Sequence, residues 1–136
     1  MGNRNLLYAA KNIVLGDNLL TSWDVQIYDT DFHYMIDDNK YLHNCVSTIN
    51  IGNGVWIGNR TTVQKGACVP SDSIIASNSL LNKDYTEYGS GIYAGIPAKF
   101  HPCHKKRVIS LSQERTLDDY FYKNRDCNGV CIDDLS

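Results

Sequence analysis

Four histidines, His33, His43, His101 and His104, are the side chains best suited to moving a proton near neutral pH, because an imidazole titrates there. His33 stands in the run Asp-Thr-Asp-Phe-His, within an acidic stretch where Asp29, Asp31, Asp37 and Asp38 face a single Lys40. Such a stretch offers a general base for an acceptor hydroxyl or amine, and carboxylates that orient the ring or accept from hydroxyls. Asp29 and Asp31 serve equally well as turn formers. His43 is a second candidate base in the same stretch. The five cysteines, Cys45, Cys68, Cys103, Cys127 and Cys131, are odd in number and scattered, and no secretion signal precedes them, which points to reduced thiols in a cytoplasm. Cys127 and Cys131, four apart, are either a bridge or metal pair or two unrelated thiols. Nothing in the spacing of cysteine and histidine calls for a covalent intermediate.

The elements that position these groups follow a period of six. In blocks of six counted from residue 3, Ile51, Ile57, Val63, Val69, Ile75 and Leu81 head six consecutive blocks, and Ala9, Leu15, Thr21 and Ile27 head four earlier ones. The fifth position is aliphatic early (Leu7, Ile13, Leu19, Val25) and smaller later (Val55, Thr61, Ala67, Ser73, Ser79). A helix drifts out of phase with this period within two blocks, and a lone strand alternates every two residues. Period six fits short strands joined by tight bends, three faces to a turn, with the large aliphatic inward and stacked on its equivalent one turn above. Gly52-Asn53-Gly54 and Gly58-Asn59 mark bends expected to need positive φ.

Residues 28–50 break the template, and a long excursion from a regular solenoid is usually functional. The coil resumes at Ile51. A β-helix domain is expected over residues 1–100, with 28–50 as its extruded active-site loop. Residues 101–136 are expected to hold a basic segment (Lys105, Lys106, Arg107), a short helix and a disordered acidic tail. Ser110 stands three before Gln113, a capping-box spacing, and Leu117, Tyr120 and Phe121 follow at helical spacing. That helix is expected to close the solenoid end, since an open end exposes strand edges and apolar core. A net charge of −2 and a pI near 6.0 exclude the global basic field of a nucleic-acid binder. No apolar run reaches the roughly 20 residues of a membrane span. Met1-Gly2 opens the chain, but Leu6 stands where a myristoylation motif has Ser or Thr.

Three features resemble the hexapeptide-repeat acyltransferases, most closely their galactoside, maltose and xenobiotic acetyltransferase branch. They are the I-G-x-x-V-W-I-G run from Ile51 to Gly58, the S-x-x-x-K-D corner from Ser79 to Asp84, and the A-G-I-P-A-K exit from Ala94 to Lys99. With Leu15–Asn18 the resemblance spans roughly residues 6 to 105. It implies an all-β solenoid, a left-handed parallel β-helix, assembled as a homotrimer with sites between subunits. It implies acetyl transfer from acetyl-CoA to a hydroxyl or amine of a sugar, polysaccharide unit or similar small acceptor, by direct attack without a metal. It places the catalytic base at His33 and the oxyanion donor at the backbone N–H of Asn59. It places the acetyl and acceptor pocket at Trp56, with Asp29 and Asp31 as further acceptor contacts, and the coenzyme at Asn59, Ser77, Asn82, Lys83 and Lys99. The coenzyme corner commonly reads Gly-Ala-Gly-Ser in this family; here it reads Ala76-Ser77-Asn78-Ser79.

Two readings from other classes stand beside this one. A zinc-dependent lyase of the γ-carbonic-anhydrase type uses the same solenoid but needs three converging histidines, and the four here lie outside the regular coils. A non-catalytic scaffold retains the solenoid without the chemistry.

Overall fold

The computed structural model describes residues 1–135. In chain order the strands are β1 (Leu6–Tyr8), β2 (Ile13–Leu15), β3 (Leu20–Thr21), β4 (Gln26–Tyr28), β5 (Met35–Ile36), β6 (Leu42–His43) and β7 (Ile49–Ile51). They continue with β8 (Trp56–Ile57), β9 (Thr62–Val63), β10 (Cys68–Val69), β11 (Ile74–Ile75), β12 (Leu80–Leu81), β13 (Ile92–Gly95) and β14 (Ala98–His101). One α-helix, α1 (Leu111–Lys123), follows. The strands form three faces of a left-handed parallel β-helix. The first face is ordered β1-β4-β9-β12, the second β10-β7-β2, and the third β14-β13-β11-β8-β3. Within the faces every pairing is parallel except β13 with β14. Leu80 pairs with Thr62 and Ile74 with Trp56, a coil of 18 residues, or three hexads.

The block-heading residues Ile27, Ile51, Ile57, Val63, Val69, Ile75 and Leu81 are all buried, as are fifth-position Val25, Val55, Thr61, Ala67, Ser73 and Ser79. Each aliphatic stacks on its partner in the next coil, and burying such a side chain is worth about 1.5–3 kcal/mol. The small fifth residue lets the wall turn. Thr61 and Ser79 both donate their hydroxyls to the carbonyl of Ala76, at 3.1 and 2.6 Å, satisfying polar atoms inside the corner.

The first face departs from the expected phase. Leu7, not Ala9, pairs with Ile27, and Leu6 pairs with Gln26 twenty residues on, so the first coil carries two extra residues. The glycines also act differently from expectation. Gly54 has φ +67°, but the left-handed residue of the next corner is Arg60 at φ +57°, and Gly58 and Asn59 do not need that conformation. A Cβ on Gly58 would lie 2.7 Å from the amide N of Ser77, and one on Gly52 would lie 2.6 Å from that of Ser71. These two positions exclude side chains because the coil above passes too close.

The solenoid end is closed by aromatic residues rather than by the helix. Tyr85 and Tyr93 are fully buried, with ring centroids 4.9 Å apart, and Phe100 packs 5.5 Å from Tyr93. Tyr93 Oη donates to the carbonyl of Gly89 at 2.6 Å, and β14 folds back antiparallel to stop the ladder. From there the chain returns along the solenoid wall, where the guanidinium of Arg107 donates to the carbonyl of Asn18. Helix α1 begins as the capping spacing predicts, with Ser110 Oγ accepting from the amide of Gln113 at 3.3 Å. It then lies beside the third face, over a groove lined by Leu20, Trp56, Val108 and Leu117, and buries none of its residues. The acidic tail is not structureless over its described residues: Ile132–Asp134 form a 3-10 turn, and Asp134 and Leu135 reach a hollow beside Tyr120 on α1. Cys127 and Cys131 are free thiols.

Candidate functional site

The excursion leaves the first face at Tyr28 and is pinned at its root. The amide of Asp31 donates to Cys45 O at 2.8 Å, that of Ser47 to Asp29 O at 3.0 Å, and Thr30 bridges Val46. Asp29 is completely buried. Its carboxylate accepts from the amides of Ala10, Lys11 and Asn12 at 2.7, 2.8 and 2.8 Å. Burial pushes its pKa up, but the three amide bonds outweigh that and hold it below the ordinary carboxylate value. With its oxygens taken, Asp29 braces the two-residue bulge of the first coil against the loop root and has no face left for an acceptor.

Past this brace the chain makes one abrupt turn. Phe32 takes φ +64°, a left-handed conformation uncommon for a bulky residue. Its amide donates to Thr30 Oγ1 at 2.9 Å, and its ring rests 5.0 Å from Tyr8 and 6.0 Å from Tyr28. His33 follows at once and is exposed at the edge of the first face. Asp31 is part-exposed and pairs with Lys65 at 2.7 Å, from the next coil. His43 lies far out in the ribbon of β5 and β6, where its Nε2 meets Asp37 at 3.1 Å. The amide of Tyr41 and then the His43 ring hold the Asp37 carboxyl below its usual range.

Four of the other predicted residues, Asn59, Ser77, Asn82 and Lys83, border the same face. Asn59 and Ser77 occupy successive coils of the corner that enters it, and Ser77 Oγ donates to Asn59 Oδ1 at 2.5 Å. The amides of Gly58 and Arg60 are spent on Ile75 O and Trp23 O, whereas none of the described residues accepts from the amide of Asn59. That N–H is therefore available to a ligand oxygen. Asn82 and Lys83 lie at the opposite corner, where the first face ends, and the Lys83 ammonium stands 5.5 Å from the centroid of Tyr85 and 5.9 Å from that of Tyr88. Lys99 is exposed on β14, opposite Ala94. Trp56, like Lys99, is on the third face: it points outward, 40% exposed, into the groove under α1. Among the described residues no three His, Cys, Asp or Glu side chains converge to hold a metal ion, and no helix is long and apolar enough to cross a membrane.

No family model matches the chain. A galactoside O-acetyltransferase of Escherichia coli (strain K12) is 28% identical over 111 residues, covering 80% of this chain and 49% of the relative. The solved structure of the polySia-specific acetyltransferase NeuO superposes with a TM-score of 0.61 at 26% identity, over 90% of this chain and 62% of that one. In sequence and in fold the chain is similar to hexapeptide-repeat acetyltransferases. A probable macrolide acetyltransferase of Lysinibacillus sphaericus shares 46% identity over 50 residues, 37% of this chain and 27% of that relative. This hexapeptide-repeat chain thus spans about half the length of the galactoside relative and less of the macrolide one.

Sequence reasoning missed Lys65, Tyr28 and Gln64 on this β-helix scaffold. Tyr28 and Gln64 are outward partners on one face, and Gln64 Nε2 donates to Tyr28 Oη at 3.1 Å. The hexad register itself would have placed them together had the excursion been removed before alignment.

Proposed function

We propose that the chain transfers an acetyl group from acetyl-CoA to a hydroxyl of a sugar-type acceptor, with His33 as general base. The observation that supports this reading is how these residues are divided over the first face: His33 and Lys83 follow its strands at the exit edge, and Asn59, whose N–H has no acceptor among the described residues, stands with Ser77 at the entry edge. The names of the relatives, which include galactoside and polySia transferases, agree with it. Acetyl-CoA supplies the thioester. His33 takes the proton of the acceptor hydroxyl as its oxygen attacks the carbonyl carbon. The Asn59 N–H, already fixed by the coil, receives the negative charge that develops on the carbonyl oxygen. The carbon–sulfur bond then breaks, and the proton held by His33 passes to the departing thiolate.

The pantetheine arm follows the coils past Ser77 and Asn82, and Lys83 and Lys99 meet the phosphates as charge-assisted donors. Asp31 contacts the acceptor; Trp56, around the corner from Asn59, serves the acetyl pocket where a second copy closes over the third face. We infer a homotrimer with sites between copies. Its support is the β5–β6 ribbon, whose Tyr34, Met35, Ile36, Tyr41 and Leu42 are all more than 60% exposed. A two-stranded ribbon is marginal alone in water, and a neighbouring copy would cover it. The free thiols suit a cytoplasmic location. Thiol release from acetyl-CoA, measured against a panel of sugars and amines, tests the activity. Turnover with at least one sugar and none with amines alone is expected; no release with any acceptor would remove the reading.

A further inference from the structure

An asparagine followed by glycine can lose its side-chain amide without any enzyme. The glycine nitrogen attacks the asparagine Cγ, and no Cβ on the glycine shields that nitrogen. The chain holds two such pairs, Asn53-Gly54 and Asn128-Gly129. Each is followed by a valine, Val55 or Val130, so the local sequence alone gives them near-equal reactivity. The fold separates them.

Asn53 is locked into the corner between β7 and β8. The Gly54 amide donates to Asp17 O at 2.8 Å, so the attacking nitrogen is already bonded. Asn53 Oδ1 accepts from the Asp17 amide at 2.7 Å, and the Asn53 amide donates to Ser71 Oγ at 2.9 Å. Closing a ring here would break bonds to the coils on both sides. Asn128 is in the opposite situation. It lies between α1 and the 3-10 turn Ile132–Asp134, where neither it nor Gly129 belongs to a helix, strand or turn, and both are exposed. Among the described residues nothing accepts from the Gly129 amide, and the Asn128 carboxamide has no hydrogen-bond partner. A Cβ on Gly129 would meet no atom within 4 Å, so there is room for a ring to close. The tie that Gly129 does make is through its carbonyl, which accepts from Cys127 Sγ at 3.0 Å and leaves the nitrogen free.

We propose that Asn128 is a site of spontaneous covalent modification, deamidated through a cyclic imide, while the fold preserves Asn53. The Gly129 nitrogen bonds to Asn128 Cγ as the Cγ–Nδ2 bond breaks. The departing nitrogen takes the proton of the Gly129 amide and leaves as ammonia. Water, the only co-reactant, then opens the imide at either carbonyl to give aspartate or isoaspartate. The product adds a carboxylate to a tail that already holds Asp126, Asp133 and Asp134, and makes the net charge one unit more negative than −2. Isoaspartate also inserts a main-chain carbon between Cys127 and Gly129. That change falls where the tail meets α1, since Tyr120 Oη lies 4.0 Å from Cys127 Sγ.

Peptide mass spectrometry on the whole protein tests this, with one sample kept folded at mildly alkaline pH and a parallel sample in urea. In the folded sample Asn128 is expected to convert at least about ten-fold faster than Asn53, because Asn53 reacts only after its corner opens locally. In urea the two rates are expected to come within about three-fold of each other, since only the fold distinguished them. Gly129→Ala, a change made in open space, is expected to slow conversion at Asn128 at least about five-fold, with the urea midpoint and the rate at Asn53 as in wild type. Equal loss at the two sites in the folded protein would overturn the proposal. So would an Asn128 that stays intact in the folded sample over the time in which the urea sample converts it.

Discussion

Asp29 shows how a residue's neighbours, and not its type, decide its work. Two adjacent acids, Asp29 and Asp31, read alike in sequence. One is sealed under three amides that lie 17 to 19 residues away, and the other reaches the surface beside His33. Asp29→Ala leaves three amide donors without their acceptor and is expected to lower stability by about 2–4 kcal/mol, read as a shift in the urea midpoint. Because the folded carboxyl sits below its ordinary value of 3.8, its contribution is fully present above that pH and is lost as pH falls through the lower folded value. The acid limb of the stability profile should therefore be flatter in the variant. The position of His33 was legible, since it follows the last regular strand before the break. The division of labour between the acids was not, because it depends on a two-residue slip in a coil that the acids do not belong to.

At the level of elements, a strict period made the coils readable, and each departure from it has a local cause. Ala9 falls out of the stack because the first coil is longer by the bulge that Asp29 braces. The glycines were recognised, but Gly52 and Gly58 answer to the approach of the next coil, which a bend-by-bend reading does not contain. The helix was visible from its capping spacing, whereas its resting place was set by the route of residues 102–110 along the wall. The closing element is instead the β13–β14 turn-back with its buried tyrosines. Burial, with the neighbouring Tyr85 and Tyr88, pushes the Tyr93 hydroxyl up to about 12. An unfolded tyrosine ionises near 10, so this residue stabilises the fold fully below pH 10 and progressively less as pH rises from 10 through 12. Tyr93→Phe loses the bond to Gly89 and is expected to be less stable by about 1 kcal/mol at neutral pH. Its alkaline limb, followed by urea midpoints from pH 9 to 11, should be flatter than that of wild type.

Across the whole molecule, the first face carries the proposed base at one edge and the free amide at the other, and the β5–β6 ribbon stands exposed. Sedimentation is expected to give a mass near three chains of 15.3 kDa; a stable monomer at micromolar concentration would leave the ribbon uncovered and remove the shared site. None of this follows from periodicity alone, because hexads specify how coils stack and are silent on what surrounds them. The claim that joins the scales is that His33 acts as the base. Its most direct test is the rate of acetyl transfer to the preferred sugar by His33→Ala, with acetyl-CoA binding measured in parallel. A fall in kcat of at least about 100-fold with acetyl-CoA affinity unchanged is predicted, and a variant that turns over as fast as wild type would contradict the account.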